Sequence, residues 1–319
     1  MTQMPLAPPY NHSDNPDGSL VIWQIVDGKP GHENQSGGLI MALKEKHKCY
    51  VEQVPVRTYG VTWPQYLLGR YRFHHSWQHP HLVIGAGSRT HPTILAASRA
   101  MRAAAIVLMS PPRIFQPLFD LCITPEHDKR RGHNVITTKG AINTIRPSHS
   151  QSPERGLFLI GGPSKHHGWH EGLLLKQIET ILTQNPEIRW KLTTSRRTPE
   201  STLGQLQSLK NPNLAIYPVD KTPQGWVAKT LAESGNVWAT EDSVSMVYEA
   251  LSSGARVGLL QVPRLTQNSR VLRGLDDLIE KGLVQPYERS GAKISEPSRR
   301  FPLNEADRIA SIIETRFLS

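Results

Sequence analysis

Short apolar runs alternate along this chain with longer stretches in which apolar residues recur at helical spacing. In the first half, apolar runs that predict strands lie at residues 20–26, 51–56, 81–84, 104–109 and 121–124, and helical spacing covers residues 35–46 and 93–101. Strands that alternate with helices of this length predict a parallel, doubly wound sheet.

The second half restarts the same alternation after a polar, proline-bearing segment at residues 145–155, which we interpret as a linker. Strands are predicted at residues 157–160, 188–193, 214–217, 237–240 and 257–260, and helices at 171–183, 225–233, 243–253, 271–281 and 304–317. We therefore predict an α/β protein of two Rossmann-like, doubly wound parallel-sheet domains facing a central cleft, with ligands outside the carboxyl ends of the strands.

The predicted domain boundaries follow from this pattern. Residues 1–19 form a flexible leader without the features of a signal peptide, residues 20–150 the N-terminal domain, and residues 151–302 the C-terminal domain. Residues 303–319 form an amphipathic C-terminal helix, for which packing back onto the N-terminal domain is one option.

Composition and charge limit the class of protein. The chain has 319 residues, 38% hydrophobic and 20% charged, which describes an ordinary soluble protein, and no apolar run is long enough to span a bilayer. Its two cysteines favour buried, reduced thiols and a cytoplasmic location. The net charge of +10 is uneven, since residues 1–150 hold 16 basic and 9 acidic residues. This favours an anionic partner for the first half (membrane surface, nucleic acid or phosphorylated substrate), although a solvated basic surface explains it equally well.

The loop after the first strand is Asp27-Gly-Lys-Pro-Gly-His-Glu-Asn-Gln35, directly before a helix. Its glycines and helix N-terminus suit a phosphate or an acidic acceptor, with His32 or Asp27 as general base. The candidate contacts are Lys29, Gly31 and Gln35. The alternative is a glycine-rich turn whose polar residues are merely solvated.

Two further loops of the first half carry polar groups. Gly85-Ala-Gly-Ser-Arg-Thr90 resembles a dinucleotide fingerprint but lacks its third glycine, and the next strand ends without the expected acidic residue, which argues against a redox dinucleotide. Backbone approach at Gly85 and Gly87, with contacts from Ser88 and Arg89, remains a candidate. Thr124-Pro-Glu-His-Asp128 supplies Glu126 and His127 as acid or base groups, or else an Asp–His pair that holds the loop.

In the second half, Leu157-Phe-Leu-Ile-Gly-Gly-Pro-Ser-Lys165 is a strand that ends in two glycines. Gly161 and Gly162 let backbone N–H groups approach an anion, and Ser164 adds a donor. The loop Thr193-Thr-Ser-Arg-Arg-Thr198 offers Ser195 and Arg196 to a diphosphate or a base edge, although a helix-capping cluster is the simpler interpretation.

The stretch from Trp238 to Leu260 predicts a strand, a polar turn, a helix that ends at Gly254, and a second strand. Thr240, Asp242 and Ser243 are each plausible N-caps, and Ser245, Met246 and Glu249 share the helix face with Asp242. A phosphate at this helix N-terminus and a ribose held by Glu249 predict a nucleotide-sugar site. The alternative is an ordinary βαβ unit with Glu249 in solvent.

Two other groups of residues are considered as a metal site and as a membrane-binding surface. His166, His167 and His170 lack a complete set of zinc ligands, and we predict no metal site. Residues 59–81 mix aromatic, arginine and histidine residues, which fits an interfacial membrane patch or ordinary core aromatics equally well.

The motifs Asp27-Gly-Lys-Pro-Gly-His-Glu-Asn-Gln35, Gly85-Ala-Gly-Ser88, Ile123-Thr-Pro-Glu-His-Asp128, Leu159-Ile-Gly-Gly-Pro163 and Thr240-Glu-Asp-Ser-Val-Ser-Met-Val247 resemble the "elongated mitochondria" or mitochondrial fission family over about residues 20–317. Bacterial members are described as nucleoside-diphosphate-sugar epimerases. The family is similar to the two-Rossmann-domain (GT-B) glycosyltransferases, and Tyr248-Glu-Ala-Leu-Ser-Ser-Gly254 is similar to the donor motif of the lipid-linked N-acetylglucosaminyltransferase of peptidoglycan synthesis.

That resemblance implies roles for particular residues. Glu249 would hold the donor ribose, Ser243, Val244, Ser245 and Met246 would present N–H groups to the diphosphate, and Gly161-Gly162 would approach it from the other side. The chain departs from the motif at Thr240-Glu-Asp242, which places two carboxylates where the transferase has an alanine- or glycine-rich turn.

From residues and resemblance together we predict a metal-independent, GT-B-type glycosyltransferase that uses a nucleoside-diphosphate-sugar as donor substrate and binds no permanent cofactor. The acceptor is not identified, and an anionic membrane surface is a candidate partner; nucleic acid is not expected. The predicted location is cytoplasmic, with a peripheral position at the inner face of the membrane as an option. A non-catalytic, membrane-associated scaffold is the alternative function. The epimerase description gains no support, because the chain lacks a complete dinucleotide fingerprint and a Tyr-x-x-x-Lys pair.

Overall fold

The computed structural model describes residues 18–73, 77–266, 269–290, 292–294 and 303–318. It divides into two compact units. Unit 1 contains the described residues up to Thr144 together with those from Glu305 onward, and unit 2 runs from Ile145 to Asn304. Residues 1–17 of the predicted leader lie outside the described residues.

Unit 1 is built on a six-stranded parallel sheet. Its strands are β1 (Leu20–Val26), β2 (Cys49–Pro55), β3 (Leu82–Ala86), β4 (Ala104–Leu108), β5 (Leu121–Pro125) and β6 (Val135–Thr138), and its helices in this part of the chain are α1 (Pro30–Lys46), α2 (Val56–Tyr59), α3 (Trp63–Leu67) and α4 (His91–Met101). The strand order is β2-β1-β3-β4-β5-β6. The chain leaves β1 toward one edge and returns to β3 on the other side, so the topological switch point lies between β1 and β3.

Unit 2 contains a second six-stranded parallel sheet. Its strands are β7 (Ser152–Leu159), β8 (Arg189–Thr193), β9 (Leu214–Tyr217), β10 (Ser234–Thr240), β11 (Arg256–Leu260) and β12 (Gln285–Pro286), and its helices are α5 (Glu171–Gln184), α6 (Glu200–Gln207), α7 (Trp226–Glu233), α8 (Val244–Ser253), α9 (Arg270–Glu280) and α10 (Tyr287–Ser290). The order β12-β11-β10-β7-β8-β9 places the switch point between β7 and β10.

The last helix, α11 (Glu305–Ile313), belongs to unit 1 and continues into a π-helical turn at Glu314–Leu318. Its residues Ile309 and Ile313 are buried in the same apolar cluster as Leu39 and Leu43 of α1. Successive residues of β1 face opposite sides of the sheet, so Ile22 lies in this cluster and Trp23 in the cluster on the other face. Helices cover both faces, which is why the strands are apolar on both sides.

The prediction of two doubly wound parallel sheets is confirmed, whereas several element boundaries were wrong. Helix α1 begins at Pro30 rather than at residue 35, because proline is well suited to the first helical position, so the glycine-rich loop is shorter than predicted. Strand β7 begins at Ser152, within the predicted linker, and pairs there with Ser234.

Of the two thiols, Cys122 is buried but Cys49 is only half-buried, and burial raises the pKa of both, to about 12 and about 11 respectively. Of the helices that the structure describes, none combines the length and apolar character needed to cross a bilayer.

Candidate functional site

The first candidate site lies in unit 1 at the carboxyl end of β1. The Asp27 side chain is fully buried there, and its Oδ2 lies 2.9 Å from Nδ1 of His32, one turn into α1. The backbone N–H of Lys29 donates to the other carboxylate oxygen at 3.2 Å. The carboxylate thus fixes the position of the imidazole.

Gly87, directly after β3, lies against the Cε1 and Nδ1 edge of the His32 ring. A Cβ at residue 87 would lie 2.2 Å from Cε1 of His32, and the φ of Gly87 is +86°. Only glycine allows this close approach at this backbone conformation. The imidazole therefore lies at the switch point between β1 and β3, where doubly wound sheets bind ligands.

The Asp27–His32 pair has the arrangement expected of a general base. When Nδ1–H donates to the carboxylate, Nε2 is the basic nitrogen, and the pairing also stabilises the imidazolium that forms on proton uptake. Because the His32 side chain is 19% exposed, a substrate hydroxyl can reach the ring.

The other predicted residues of unit 1 have different placements. Lys29 is the N-cap of α1, Gly31 and Gln35 lie within that helix, and Gly85 lies in β3. Ser88 and Arg89 are exposed in the turn before α4, and Glu126 is exposed after β5.

A pair of polar residues near the end of β4 was not predicted. The Ser110 hydroxyl donates to Oδ2 of Asp128 at 2.5 Å, and Asp128 Oδ1 lies 4.0 Å from Nε2 of His127. The preceding residue, Met109, has a φ of +72°, which is rare for a side-chain-bearing residue. The hydrogen bond between Ser110 and Asp128 therefore holds this loop, whereas the 4.0 Å between Asp128 and His127 is longer than a hydrogen bond.

The second candidate site lies in unit 2 at the switch point between β7 and β10. The N–H of Gly161 donates to the Thr240 hydroxyl at 2.8 Å, and the N–H of Gly162 donates to Oδ2 of Asp242 at 3.0 Å. A Cβ at residue 161 would lie 2.2 Å from that carboxylate oxygen. The two glycines thus allow the loop after β10 to lie directly on the loop after β7.

Arg197, in the loop after β8, contacts the same Asp242 carboxylate. The candidate arginine predicted in this loop was Arg196. Nη2 of Arg197 donates to Oδ2 of Asp242 at 2.7 Å, while Nη1 donates to the carbonyls of Gly162 at 2.5 Å and Pro163 at 3.1 Å. The Gly162 N–H and the Arg197 guanidinium therefore converge on one oxygen, and we call the place of that oxygen the anion-binding position.

The hydroxyl groups of the same loops hold the backbone in shape. Thr198 donates to the Gly161 carbonyl at 2.5 Å, and the Ser195 hydroxyl accepts the N–H of Arg197 at 3.1 Å. The Ser164 hydroxyl accepts the N–H groups of His166 and His167. Residues 195–198 form a hydrogen-bonded turn, with Arg196 exposed in it, and the prediction of a helix-capping cluster was wrong because the N-cap of α6 is Pro199, without a side-chain capping hydrogen bond.

Helix α8 begins beside the anion-binding position. Its N-cap is Ser243, whose side chain makes no capping hydrogen bond, and the helix ends at Gly254 with a φ of +86°. An uncapped helix start presents N–H groups and the positive end of the helix dipole. Ser245 and Glu249 lie four residues apart and so share one face, and Val244 and Met246 flank Ser245 in the first turn.

Each of the two adjacent carboxylates after β10 is paired with a guanidinium. Arg264 donates to Glu241 at 2.8 Å and to Asp276 at 2.8 Å. Burial raises the pKa of Glu241, and the hydrogen bond from Arg264 opposes that shift. Beside this pair is a cavity of about 550 Å³, whose lining also includes Glu280 and Glu288.

His167 is the most deeply buried of the three histidines considered as metal ligands. It is 1% exposed, and neither ring nitrogen has a hydrogen-bond partner among the residues that the structure describes. Burial lowers its pKa, and the Asp242 carboxylate opposes that shift. His170 instead caps α5 by accepting the N–H of Leu173.

Comparisons with known proteins agree with this architecture. A family model described as "Mitochondrial fission ELM1" matches residues 30–317. A protein of Rickettsia prowazekii (strain Madrid E), described as "Uncharacterized protein RP120", is 23% identical, with 92% of this chain and 97% of that protein covered.

Two solved structures share the fold at low identity. The UDP-GlcNAc 2-epimerase from Methanocaldococcus jannaschii gives a TM-score of 0.54 at 12% identity, covering 93% of this chain and 100% of that chain. A structure described as the glycotransferase of kitacinnamycin gives 0.55 at 14% identity, covering 94% and 99%. The predicted GT-B-like fold of two Rossmann-like domains is confirmed.

Proposed function

The chain belongs to the mitochondrial fission ELM1 family, and from the chemistry of its two switch-point sites we propose that it transfers a sugar from a nucleoside-diphosphate-sugar to an acceptor hydroxyl. The observation that carries this proposal is the anion-binding position of unit 2. There the Gly162 N–H and the Arg197 guanidinium meet on one buried oxygen, beside the uncapped start of α8. This donor set matches the needs of a diphosphate.

The remainder of a nucleotide-sugar fits the residues that follow. Glu249 lies one turn beyond Ser245 on the same helix face, where its carboxylate accepts hydrogen bonds from ribose hydroxyls. The N–H groups of Ser245 and Met246 and the side chain of Arg197 stabilise the negative charge of the departing diphosphate. The charge is neutralised by groups of the chain itself, which is why we propose a metal-independent reaction.

Unit 1 supplies the base. Nε2 of His32, with Asp27 on the opposite ring nitrogen, removes the proton of the acceptor hydroxyl as its oxygen attacks the anomeric carbon of the sugar. The bond from that carbon to the diphosphate oxygen breaks, and the nucleoside diphosphate leaves. Sugar-nucleotide epimerisation is a second candidate, because the fold is shared with a UDP-GlcNAc 2-epimerase.

Calorimetric titration of the full chain with the diphosphates of uridine, guanosine and cytidine tests the donor site. We expect at least one of them to bind, and Glu249→Ala to weaken that binding by about 10-fold through lost hydrogen bonds to the ribose. Incubation with the matching nucleotide-sugars then separates the two reactions, since transfer to an acceptor hydroxyl, here that of water, releases the diphosphate and epimerisation does not. If no nucleoside diphosphate binds, the proposed function is wrong.

A membrane-associated scaffold is supported by a separate observation on unit 1. Leu67, Leu68, Ile114 and Leu118 are large apolar residues with exposed fractions of 75%, 64%, 77% and 40%. Trp63 stacks on Phe115 at 3.9 Å between ring centroids, which brings the start of α3 beside the loop that carries Ile114. We call the four apolar residues the apolar patch.

Basic residues accompany the apolar patch. Arg99 is close enough to Tyr66 to oppose the effect of burial on the tyrosine pKa, and Arg113 is exposed next to Ile114. Exposed leucine and isoleucine next to tryptophan, tyrosine and arginine are the composition of a surface that enters the headgroup region of an anionic bilayer. Sugar transfer and membrane binding are compatible, since a membrane-bound acceptor needs both.

The triple substitution Leu67→Ser, Leu68→Ser and Ile114→Ser is expected to weaken binding to vesicles that contain phosphatidylglycerol by at least about 100-fold, because three large apolar side chains no longer leave water. Vesicle co-sedimentation measures this effect. Leu265→Ser is the matched control, since Leu265 is 65% exposed in unit 2 and lies outside the apolar patch. Equal binding by the triple variant and the control would refute the role of the apolar patch.

A further inference from the structure

We infer that Asp242 itself occupies the anion-binding position of unit 2 and that it competes there with the phosphate groups of the ligand. This inference rests on the proposed function, because it concerns the same nucleotide site. Its basis is the geometry of one carboxylate. The Asp242 side chain is fully buried, and its Oδ2 accepts both the Gly162 N–H and the Nη2 donor of Arg197.

The carboxylate stands where a phosphate oxygen of the ligand belongs. Measured from the place of a Cβ on Gly161, Asp242 Oδ2 lies at 2.2 Å and Oδ1 at 2.5 Å, so the carboxylate covers the glycine directly. A phosphate on the same glycines needs the same space and the same two donors. Binding is therefore an exchange, in which the carboxylate leaves as the phosphate enters.

The second oxygen of Asp242 indicates that the carboxylate is incompletely stabilised in this place. Asp242 Oδ1 is buried and has no hydrogen-bond partner among the residues that the structure describes. A buried carboxylate oxygen without a partner costs free energy, because its hydration is lost without replacement. The Asp242 carboxylate thus occupies the anion-binding position, and its unpaired oxygen lowers the free energy needed to displace it.

The free energy of displacing Asp242 is the same for every phosphate ligand, so the net affinity of each ligand depends on the contacts that it makes beyond those it takes over. A single phosphate takes over the two donors that the carboxylate releases and gains little beyond them. The second phosphate of a diphosphate reaches the uncapped start of α8, whose N–H groups Asp242 does not use in the structure. Displacement of Asp242 therefore leaves a monophosphate with little net affinity, whereas the additional contacts of a diphosphate make its net binding strong.

Asp242→Ala removes the competing carboxylate, and Asp220→Ala is the matched control because Asp220 is an exposed acidic residue of the same unit. Calorimetry with uridine diphosphate, uridine monophosphate and inorganic diphosphate is expected to show tighter binding of all three to Asp242→Ala, by about 10-fold or more, as a blocked fraction is released. The factor should be the same for each probe, because each displaces the same carboxylate. Asp220→Ala should bind each probe as the unaltered protein does.

Several outcomes separate this inference from the proposed function. If Asp242→Ala binds every probe as weakly as Asp220→Ala, or more weakly, Asp242 positions the site and the inference is wrong. If inorganic diphosphate binds more tightly to Asp242→Ala while no nucleoside diphosphate binds either protein, the exchange stands and the nucleotide-sugar function fails. Asp242→Asn keeps the shape of the side chain and removes its charge, and it replaces Asp242→Ala in all three titrations if circular dichroism shows that the alanine variant is unfolded.

Discussion

Replacing His32 with alanine is expected to lower the rate of sugar transfer by about 10²- to 10⁴-fold, which is the range that a positioned general base contributes. The affinity for the nucleoside diphosphate should not change, because its proposed binding residues lie in unit 2. The initial rate of diphosphate release from the nucleotide-sugar, with water as the acceptor hydroxyl, measures the first quantity, and calorimetry measures the second.

His133→Ala is the control for this experiment, since His133 is an exposed histidine of the same unit. Asp27→Asn separates the role of the charge, because it retains a side chain of the same shape beside the His32 ring without stabilising the imidazolium. We expect its rate to lie between those of the unaltered protein and His32→Ala. Full turnover by His32→Ala would show that the base is another residue.

Replacing Arg197 with alanine is expected to weaken nucleoside-diphosphate binding by about 10-fold, because Arg197 bonds the more highly charged diphosphate more strongly than the Asp242 carboxylate that the diphosphate displaces. Arg197 Nη2 already bonds an anionic oxygen at 2.7 Å in the anion-binding position. Calorimetric titration of the variant with the nucleoside diphosphate that binds the unaltered protein measures the change.

Arg196→Ala provides a matched control, since it removes the same charge from the neighbouring residue, which is exposed. We expect its affinity to stay within about 2-fold of the unaltered protein, as is usual for exposed charges. A larger loss from Arg196→Ala than from Arg197→Ala would mean that the loop after β8 presents the other arginine to the ligand.

The positions of the candidate sites could be predicted from the sequence, because apolar runs mark strands and ligands bind beyond the carboxyl ends of strands. Asp27 and Gly161 follow such runs directly, and both lie at switch points in the structure. The start of α1 was harder to place, because a proline followed by glycine occurs in turns as well as in the first turn of a helix. His32 is consequently a helical residue rather than a loop residue.

The choice between Arg196 and Arg197 could not be made from the sequence. The loop after β8 has no periodicity, so neighbouring side chains have no predictable direction, and the outcome depends on the hydrogen bonds of Ser195 and Thr198. In the structure it is Arg197 that donates to Asp242.

The ion pairs of Glu241 and Asp242, the two carboxylates after β10, could not be predicted from the sequence either. Two adjacent carboxylates would repel a diphosphate, and the sequence does not indicate which cations neutralise them. Glu241 is paired with an arginine 23 positions away, and Asp242 with one 45 positions away. Such pairs depend on the packing of loops from different strands.

A missing dinucleotide fingerprint and a missing Tyr-x-x-x-Lys pair argue against an epimerase that uses a redox dinucleotide. The GT-B-like fold is shared by a UDP-GlcNAc 2-epimerase, so fold alone does not separate the two reactions.

Hydrogen–deuterium exchange of the full chain, with and without a saturating nucleoside diphosphate, shows whether the nucleotide binds at the anion-binding position of unit 2. We expect slower exchange of backbone amides in residues 160–164, 195–198 and 240–249, because the loop of Gly161 and Gly162, the side chain of Arg197 and the start of α8 form the proposed nucleotide site. Slower exchange confined to other segments, or no change with any of the three nucleotides, would contradict it.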